Sequence, residues 1–213
     1  KAIDCREPIV IYGDYDADGI TAASMLYLFL KKQGADVEIY IPNRYTEGYG
    51  MNREAIELIS ARGTKLIISV DCGITSLEEV ELAKKLGMDV IITDHHTCGS
   101  TLPDAVAVVN PTRTGHSYPF CSLAGVGVAA KLVQAMAGID GIKEYLDLIA
   151  LGTVADIVPL LDENRIFTAK GIEKMKNLPN LGIDELTKAA GLQGDNMDTT
   201  KIAFGLAPRL NAA

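Results

Sequence analysis

No apolar stretch in the 213 residues approaches the roughly 18 consecutive positions that a membrane-spanning helix needs, and no signal-peptide pattern opens the chain. Cysteine is scarce and unpatterned. Cys5, Cys72, Cys98 and Cys121 form no C-x-x-C pair and no regular framework, so a disulfide scaffold is excluded and reduced cysteines in a cytoplasmic protein are expected. Internal repeats and low-complexity segments are absent. A hydrophobic content of 48% with 23% charged residues excludes a disordered chain. Positive charge is also in deficit: the net charge of −8 lacks the basic excess usual in phosphate-binding proteins. Asp14, Asp16, Asp18, Asp71, Asp94 and Asp156 are six of the 28 acids, however, and bound divalent cations would offset several of them. Net charge therefore decides nothing about partners.

What the chain does have is acids at strand ends. The apolar runs Ile9-Val10-Ile11-Tyr12, Leu66-Ile67-Ile68-Ser69-Val70 and Val90-Ile91-Ile92 are short and unbroken, as in strands buried on both faces of a parallel sheet. They lead into Gly13-Asp14-Tyr-Asp16-Ala-Asp18-Gly, Asp71-Cys-Gly73 and Thr-Asp94-His95-His96. Strands Val37–Ile41 and Ala105–Val109, with helices over Thr21–Lys32, Asn52–Ala61 and Ser76–Leu86, complete a doubly wound α/β pattern. Ser76 reads as an N-cap. From Ser122 the strand signal fades into helices over Leu123–Ala137, Ile142–Val154, Glu163–Lys176 and Asp184–Ala190. The expected organisation is an α/β domain over 1–120 and a helical part over 121–213. The opening on Lys1 and the ending Ala-Pro-Arg209-Leu-Asn211-Ala-Ala read as those of a fragment.

Ligands bind in the crevice beyond the carboxyl ends of such strands, and carboxylate is the preferred donor for hard divalent ions. In the Asp14–Asp18 loop, alternate residues can project to one point, so two of the three acids can reach the same metal pair. The alternative is an acidic turn in which Asp18 or Thr21 caps a helix. Asp71 repeats the placement, with Gly73 permitting close backbone approach, and Cys72 reads as packing. Only three histidines exist, and two are adjacent. Neighbouring side chains diverge at a strand end, which suggests one ligand and one substrate-facing ring, with Asp94 orienting a ring nitrogen. His116 has no such company and reads as a loop residue. Asp156, in an apolar helical stretch, needs a metal, a cap or a buried hydrogen bond. Arg44, Tyr49, Gly48 and Gly50 suit phosphate and base contacts, or an ordinary surface loop. Leu123-Ala-Gly125-Val-Gly127-Val lacks the Lys-Ser/Thr of a phosphate loop and reads as close helix packing.

Together these segments resemble the DHH phosphoesterase superfamily, and within it the RecJ-type single-strand-specific exonucleases. The resemblance rests on Gly13–Thr21, Val70–Ile74, Thr93–His96 and Leu151–Leu160. Arg44 to Gly50, Leu123–Val128 and Ala207–Ala213 add to it, all in the family's order. It implies a mostly parallel five-stranded sheet and two Mn2+ or Mg2+ ions held by Asp14, Asp16, Asp71, His95 and Asp156, with Asp18 the uncertain member of its trio. It further implies His96 at the scissile phosphate, Arg44 on a substrate phosphate, and Arg209 and Asn211 along the path of single-stranded DNA. The implied reaction is 5′→3′ hydrolysis to 5′-mononucleotides, with two ions activating water and stabilising the leaving oxygen. Tyr45 or Tyr49 would stack on bases. Two other readings stay open at this level, a phosphodiesterase of short oligonucleotides or cyclic dinucleotides and a non-catalytic replisome scaffold. Inorganic pyrophosphatase is disfavoured, because its histidine before the first acid pair is missing.

Overall fold

A computed structural model describes residues 1–115, 117–177, 179–193 and 197–212; His116 lies outside the described residues. The elements run β1 (Ile9–Gly13), α1 (Ala17–Lys32), β2 (Val37–Tyr40), α2 (Arg53–Ala61), β3 (Leu66–Val70), α3 (Leu77–Lys85), β4 (Asp89–Thr93) and β5 (Ala107–Val109). Then come α4 (Gly125–Ala137), a 3-10 stretch (Ile139–Tyr145), α5 (Leu146–Ala155), α6 (Asp162–Asn177) and α7 (Leu181–Ala189). The last elements are α8 (Thr199–Lys201), a π-helical stretch (Ile202–Leu206) and α9 (Ala207–Asn211). No described helix is long and apolar enough to cross a membrane.

The five strands are all parallel, in the order β2-β1-β3-β4-β5. Side-chain alternation splits them between two cores. Ile9, Ile11, Ile68 and Val70 face α1, α4 and α5, where Leu26, Val126, Val133 and Ile149 are buried. Val10, Tyr12, Ile67 and Ile92 face α2 and α3 through Ile56, Ile59 and Val80. Each fully buried aliphatic side chain contributes on the order of 1.5–3 kcal/mol. Helices thus cover both faces, as the apolar strands require. The first core passes without a break from α1 into the helical half, joining Leu26 and Phe29 to Val128, Ile149 and Phe167.

Strand order reverses between β1 and β3, so their connections leave on opposite sides and a crevice opens beyond their carboxyl ends. Register then aligns the acids. Gly13 pairs with Val70, Val70 with Thr93, and Thr93 with Val109. The next residues, Asp14, Asp71, Asp94 and Asn110, therefore stand in one row along that edge.

Several boundaries differ from the sequence expectation. α1 begins at Ala17 rather than Thr21, because Asp16 caps it by accepting from Gly19 N at 2.9 Å, while Thr21 Oγ1 donates back to Ala17 O at 2.8 Å. Ser76 occupies the N-cap of α3 but makes no capping bond with its side chain. The single helix expected over Ile142–Val154 is a 3-10 stretch followed by α5, and α7 starts earlier, at Leu181, where Asn180 accepts from Gly182 N at 2.8 Å. The helical run through 199–211 was hidden by Gly205 and Pro208. Pro208 lies within this continuous run, just where the π-helical stretch gives way to α9, and has no N–H to donate to the preceding turn.

Candidate metal centre

Asp71 leaves β3 with φ +61°, a left-handed conformation that Asp tolerates better than most residues. Its backbone N still donates to Thr93 O at 3.0 Å, so the turn swings only the side chain over the crevice. Gly73 follows at φ +105°, and an added Cβ there would lie 2.7 Å from Ser69 Oγ. Its glycine is therefore explained by this tight turn, where the sequence had suggested approach to a ligand. Three groups of side chains bring one donor atom each within 4.8 Å of one another: Asp14, Asp16 and Asp71; Asp71, His95 and His96; and Asp18, His95 and Asp156. Asp71 and His95 belong to two groups each, so the three merge into one extended cluster.

Two oxygens in this cluster are buried without a hydrogen bond, Asp71 Oδ1 and Asp156 Oδ2. His95 lies between them, its Nε2 3.1 Å from Asp71 Oδ1 and its Nδ1 3.7 Å from Asp156 Oδ2. Buried carboxylate oxygens are expensive to leave unpaired, and a set of oxygens with one imidazole suits Mn2+ or Mg2+. The donor set fits divalent cations.

Asp18 behaves differently. Its Oδ2 accepts from Gly125 N at 2.6 Å and its Oδ1 from Val126 N at 2.9 Å, so it closes the N-terminus of α4. Both oxygens are thereby engaged in anchoring that helix behind the cluster, which weighs against the direct ligand role that its sequence position allowed. Glycines make this possible. A Cβ on Gly125 would lie 2.3 Å from Asp71 Oδ1, and one on Gly152 would lie 2.3 Å from Thr21 Oγ1 and 2.7 Å from Asp18 Oδ1. The Gly125 segment is close packing, as expected, but packing against the acids themselves. The Gly-x-Gly at a helix start was the signal for it.

The two histidines diverge. His95 points into the cluster, while His96 is 44% exposed and its Nδ1 lies 2.7 Å from Asp94 Oδ1. Asp94 also accepts from His95 N, His96 N and Ile74 N, at 2.7, 3.1 and 2.9 Å, and so holds the whole loop. Asn110, which the sequence reading missed, supports it from below by donating Nδ2 to His96 O at 2.9 Å. Tyr49 OH sits 3.2 Å from His96 Nε2, the Tyr49 ring meets Tyr15 edge-on, and the Arg44 guanidinium lies 4.4 Å over the Tyr15 ring. These three form a rim above the cluster. Tyr45 is 92% exposed and makes no ring contact among the described residues, so of the two tyrosines only Tyr49 reaches the site. Asn211 Oδ1 accepts from Ala17 N at 2.7 Å, and Arg209 Nη1 donates to Gly205 O at 2.5 Å. The final helix is thus tied to the first acidic loop.

Residues 8–153 match the DHH family, N-terminal domain. The chain belongs to the DHH family. Its relatives include the single-stranded-DNA-specific exonuclease RecJ of Bacillus subtilis, 50% identical over 212 residues that cover 100% of this chain and 27% of the relative. A crystal structure of exonuclease RecJ bound to manganese superposes with a TM-score of 0.89 at 37% identity, covering 100% of this chain and 54% of that one. RecJ from Thermus thermophilus, in complex with Mn2+, superposes at 0.83 with 34% identity, over 100% of this chain and 31% of that one. The chain therefore spans about a quarter of the Bacillus subtilis relative's length.

Electrostatics in this DHH-family site follow from burying acids together. Burial pushes Asp14 from 3.8 up to about 6, although Tyr15 N, donating at 2.8 Å, works against it. Burial, then the neighbouring carboxylates, raises Asp71 and Asp18 well above the usual range, and burial raises Asp156. Asp94 is the exception: burial opposes ionisation, yet hydrogen bonds from the His96 ring, Ile74 N and His96 N outweigh it and hold the carboxyl below its ordinary value. A carboxyl raised in the folded state contributes stability below its unfolded value and loses it as pH rises through the folded one. For Asp14 that window runs from 3.8 to about 6 and amounts to about 3 kcal/mol. In EDTA the melting temperature should fall as pH rises from 5 to 8, and the increase on adding Mn2+ should be larger at pH 8. Equal stabilisation by Mn2+ at both pH values would refute the link between the acids and the metal.

Proposed function

We propose that the chain is the metal-dependent hydrolytic core of a single-stranded-DNA-specific exonuclease, acting 5′→3′ and releasing 5′-mononucleotides, in DNA repair and recombination. One observation carries the reading: Asp71 is common to two donor groups and has a buried oxygen without a hydrogen bond. Asp14, Asp16, Asp71, His95 and Asp156 would hold two Mn2+ or Mg2+ ions, with Asp71 shared and Asp18 acting behind them on α4. When bound, the ions supply a nucleophile at neutral pH and charge stabilisation at the phosphate.

The chain's own residues do the rest. His96, with Nδ1 engaged by Asp94, presents Nε2 to the scissile phosphate, and the Asp94 hydrogen bond favours the protonated ring, which donates there. Asp94 thus acts by positioning and charging His96. Arg44 binds a strand phosphate and Tyr49 faces a base, with Arg209 further along the strand. Asn211 serves through the loop it holds at Ala17. A cytoplasmic location accords with the free thiols of Cys5, Cys72, Cys98 and Cys121.

Arg44→Ala should raise KM about tenfold and leave kcat within threefold, since a phosphate contact outside the reacting atoms contributes to binding. Steady-state kinetics on a labelled oligonucleotide check this, and a kcat collapse at unchanged KM would contradict it. The decisive assay for the function uses a 5′-phosphorylated, 3′-labelled single strand with Mn2+, beside a duplex, a dinucleotide and an EDTA control. Stepwise shortening of the single strand alone supports the exonuclease. Cleavage of the dinucleotide alone would make the protein a short-substrate phosphodiesterase, and no cleavage together with no metal binding in a calorimetric titration would leave a scaffold.

A further inference from the structure

Asp156 closes α5 as its C-cap, and the next residue, Ile157, takes φ +60°. That is the position where helices commonly place glycine, because a Cβ in this conformation is strained and a β-branched one more so. Ile157 gains nothing from the fold in return. Its side chain is 87% exposed, and its backbone N makes only a 3.3 Å bond to Val154 O. The same short link ends at Leu161, 62% exposed, and at Asp162 with φ +41°. One strained β-branched residue and two bare aliphatic side chains thus stand in the link that leaves the cluster through Asp156.

Strain of this kind persists where the side chain has work outside the fold. The location limits what that work is. Ile157 is one residue from Asp156, whose Oδ2 is an orphaned oxygen of the cluster. A phosphate seated at the cluster would carry a sugar and a base, and Ile157 is the exposed apolar side chain next in the chain to a cluster residue. Resting on the nuclease reading above, we infer that Ile157 is a specificity-determining contact for that nucleotide, packing its aliphatic side chain against the unstacked base. Apolar side chains that meet base faces are a known way to hold splayed nucleotides. An unpaired strand offers that face, and a stacked duplex hides it.

The test compares Ile157→Asn and Ile157→Val with the wild type, reading both cleavage and binding of a single strand in Ca2+ by fluorescence anisotropy. Asn accepts the left-handed backbone and removes the apolar contact, whereas Val keeps both strain and contact. Ile157→Asn should melt about 2–4 °C higher and bind the strand about fivefold more weakly, with kcat within threefold, while Ile157→Val stays near wild type. An abasic nucleotide at the 5′ end should weaken wild-type binding by the same factor and make Ile157→Asn no worse. Unchanged binding by Ile157→Asn, or independent losses from the variant and the abasic site, would overturn the contact and leave a protein surface as the occupant. Wild-type cleavage in the same experiment reports separately on the nuclease reading, so binding that behaves as expected without cleavage would sink that reading alone.

Discussion

Asp71→Asn is expected to lower metal-dependent hydrolysis by at least about 10³-fold while raising the melting temperature of the metal-free protein. The two effects have one cause. Asp71 carries a buried oxygen without a hydrogen bond, surrounded by Asp14, Asp16, Asp94 and Asp156, and without cations it is a charge that the fold must accommodate. Replacing it by a neutral amide removes that repulsion, which is worth about 1–3 kcal/mol and a few degrees of melting temperature. Asn is the informative substitution because φ +61° suits Asn, whereas Ala would add backbone strain and confuse the stability readout. The same change takes away a donor shared by two groups of the cluster, so Mn2+ should no longer stabilise the variant. Melting in EDTA and in Mn2+, beside an activity assay, separates these contributions. Near-normal turnover would end the shared-donor assignment. A lower melting temperature in EDTA would show that His95, 3.1 Å away, already neutralises Asp71 in the free protein.

The parallel sheet was legible because its strands are buried on both faces. Runs such as Leu66–Val70 have to be continuous and apolar, and acids at their ends stand out against them. The candidate cluster was legible for the same reason, since register turns strand ends into neighbours and aligns Asp14, Asp71 and Asp94. What could not be read was how each acid is employed. Asp16 and Asp18 are two residues apart in one loop, yet one caps α1 and the other caps α4, from 107 positions away in the chain. Only the tertiary fold determines which backbone N–H groups meet which carboxylate. Ile157 escaped notice because nothing in Ala-Asp-Ile-Val-Pro announces a left-handed backbone, and an isoleucine there reads as core. Thr199–Asn211 escaped because glycine and proline mask a helical run that packing against α1 and α5 sustains.

Gly125→Ala should be nearly as damaging as a change to the acids, though it removes no functional group. Its Cβ would fall 2.3 Å from Asp71 Oδ1 and 2.6 Å from Asp71 Cβ and Cγ, distances that no pair of atoms sustains. Either Asp71 shifts or the start of α4 retreats, and α4 is held by the bonds from Gly125 N and Val126 N to Asp18. Overpacking of this kind costs about 1–3 kcal/mol. The larger consequence is geometric, because a displacement of about 1 Å at a reacting centre lowers a rate by about 10²-fold. We expect that loss in kcat, with Mn2+ affinity falling more than about tenfold in a calorimetric titration. Gly127→Ala serves as the control. Its Cβ meets the end of the flexible Leu123 side chain at 3.3 Å, which can yield, so activity should stay within threefold. Activity within threefold for Gly125→Ala as well would mean that Asp71 does not lie against the start of α4 in the working enzyme, and the cradle built by Asp18 and the glycines would have to be abandoned.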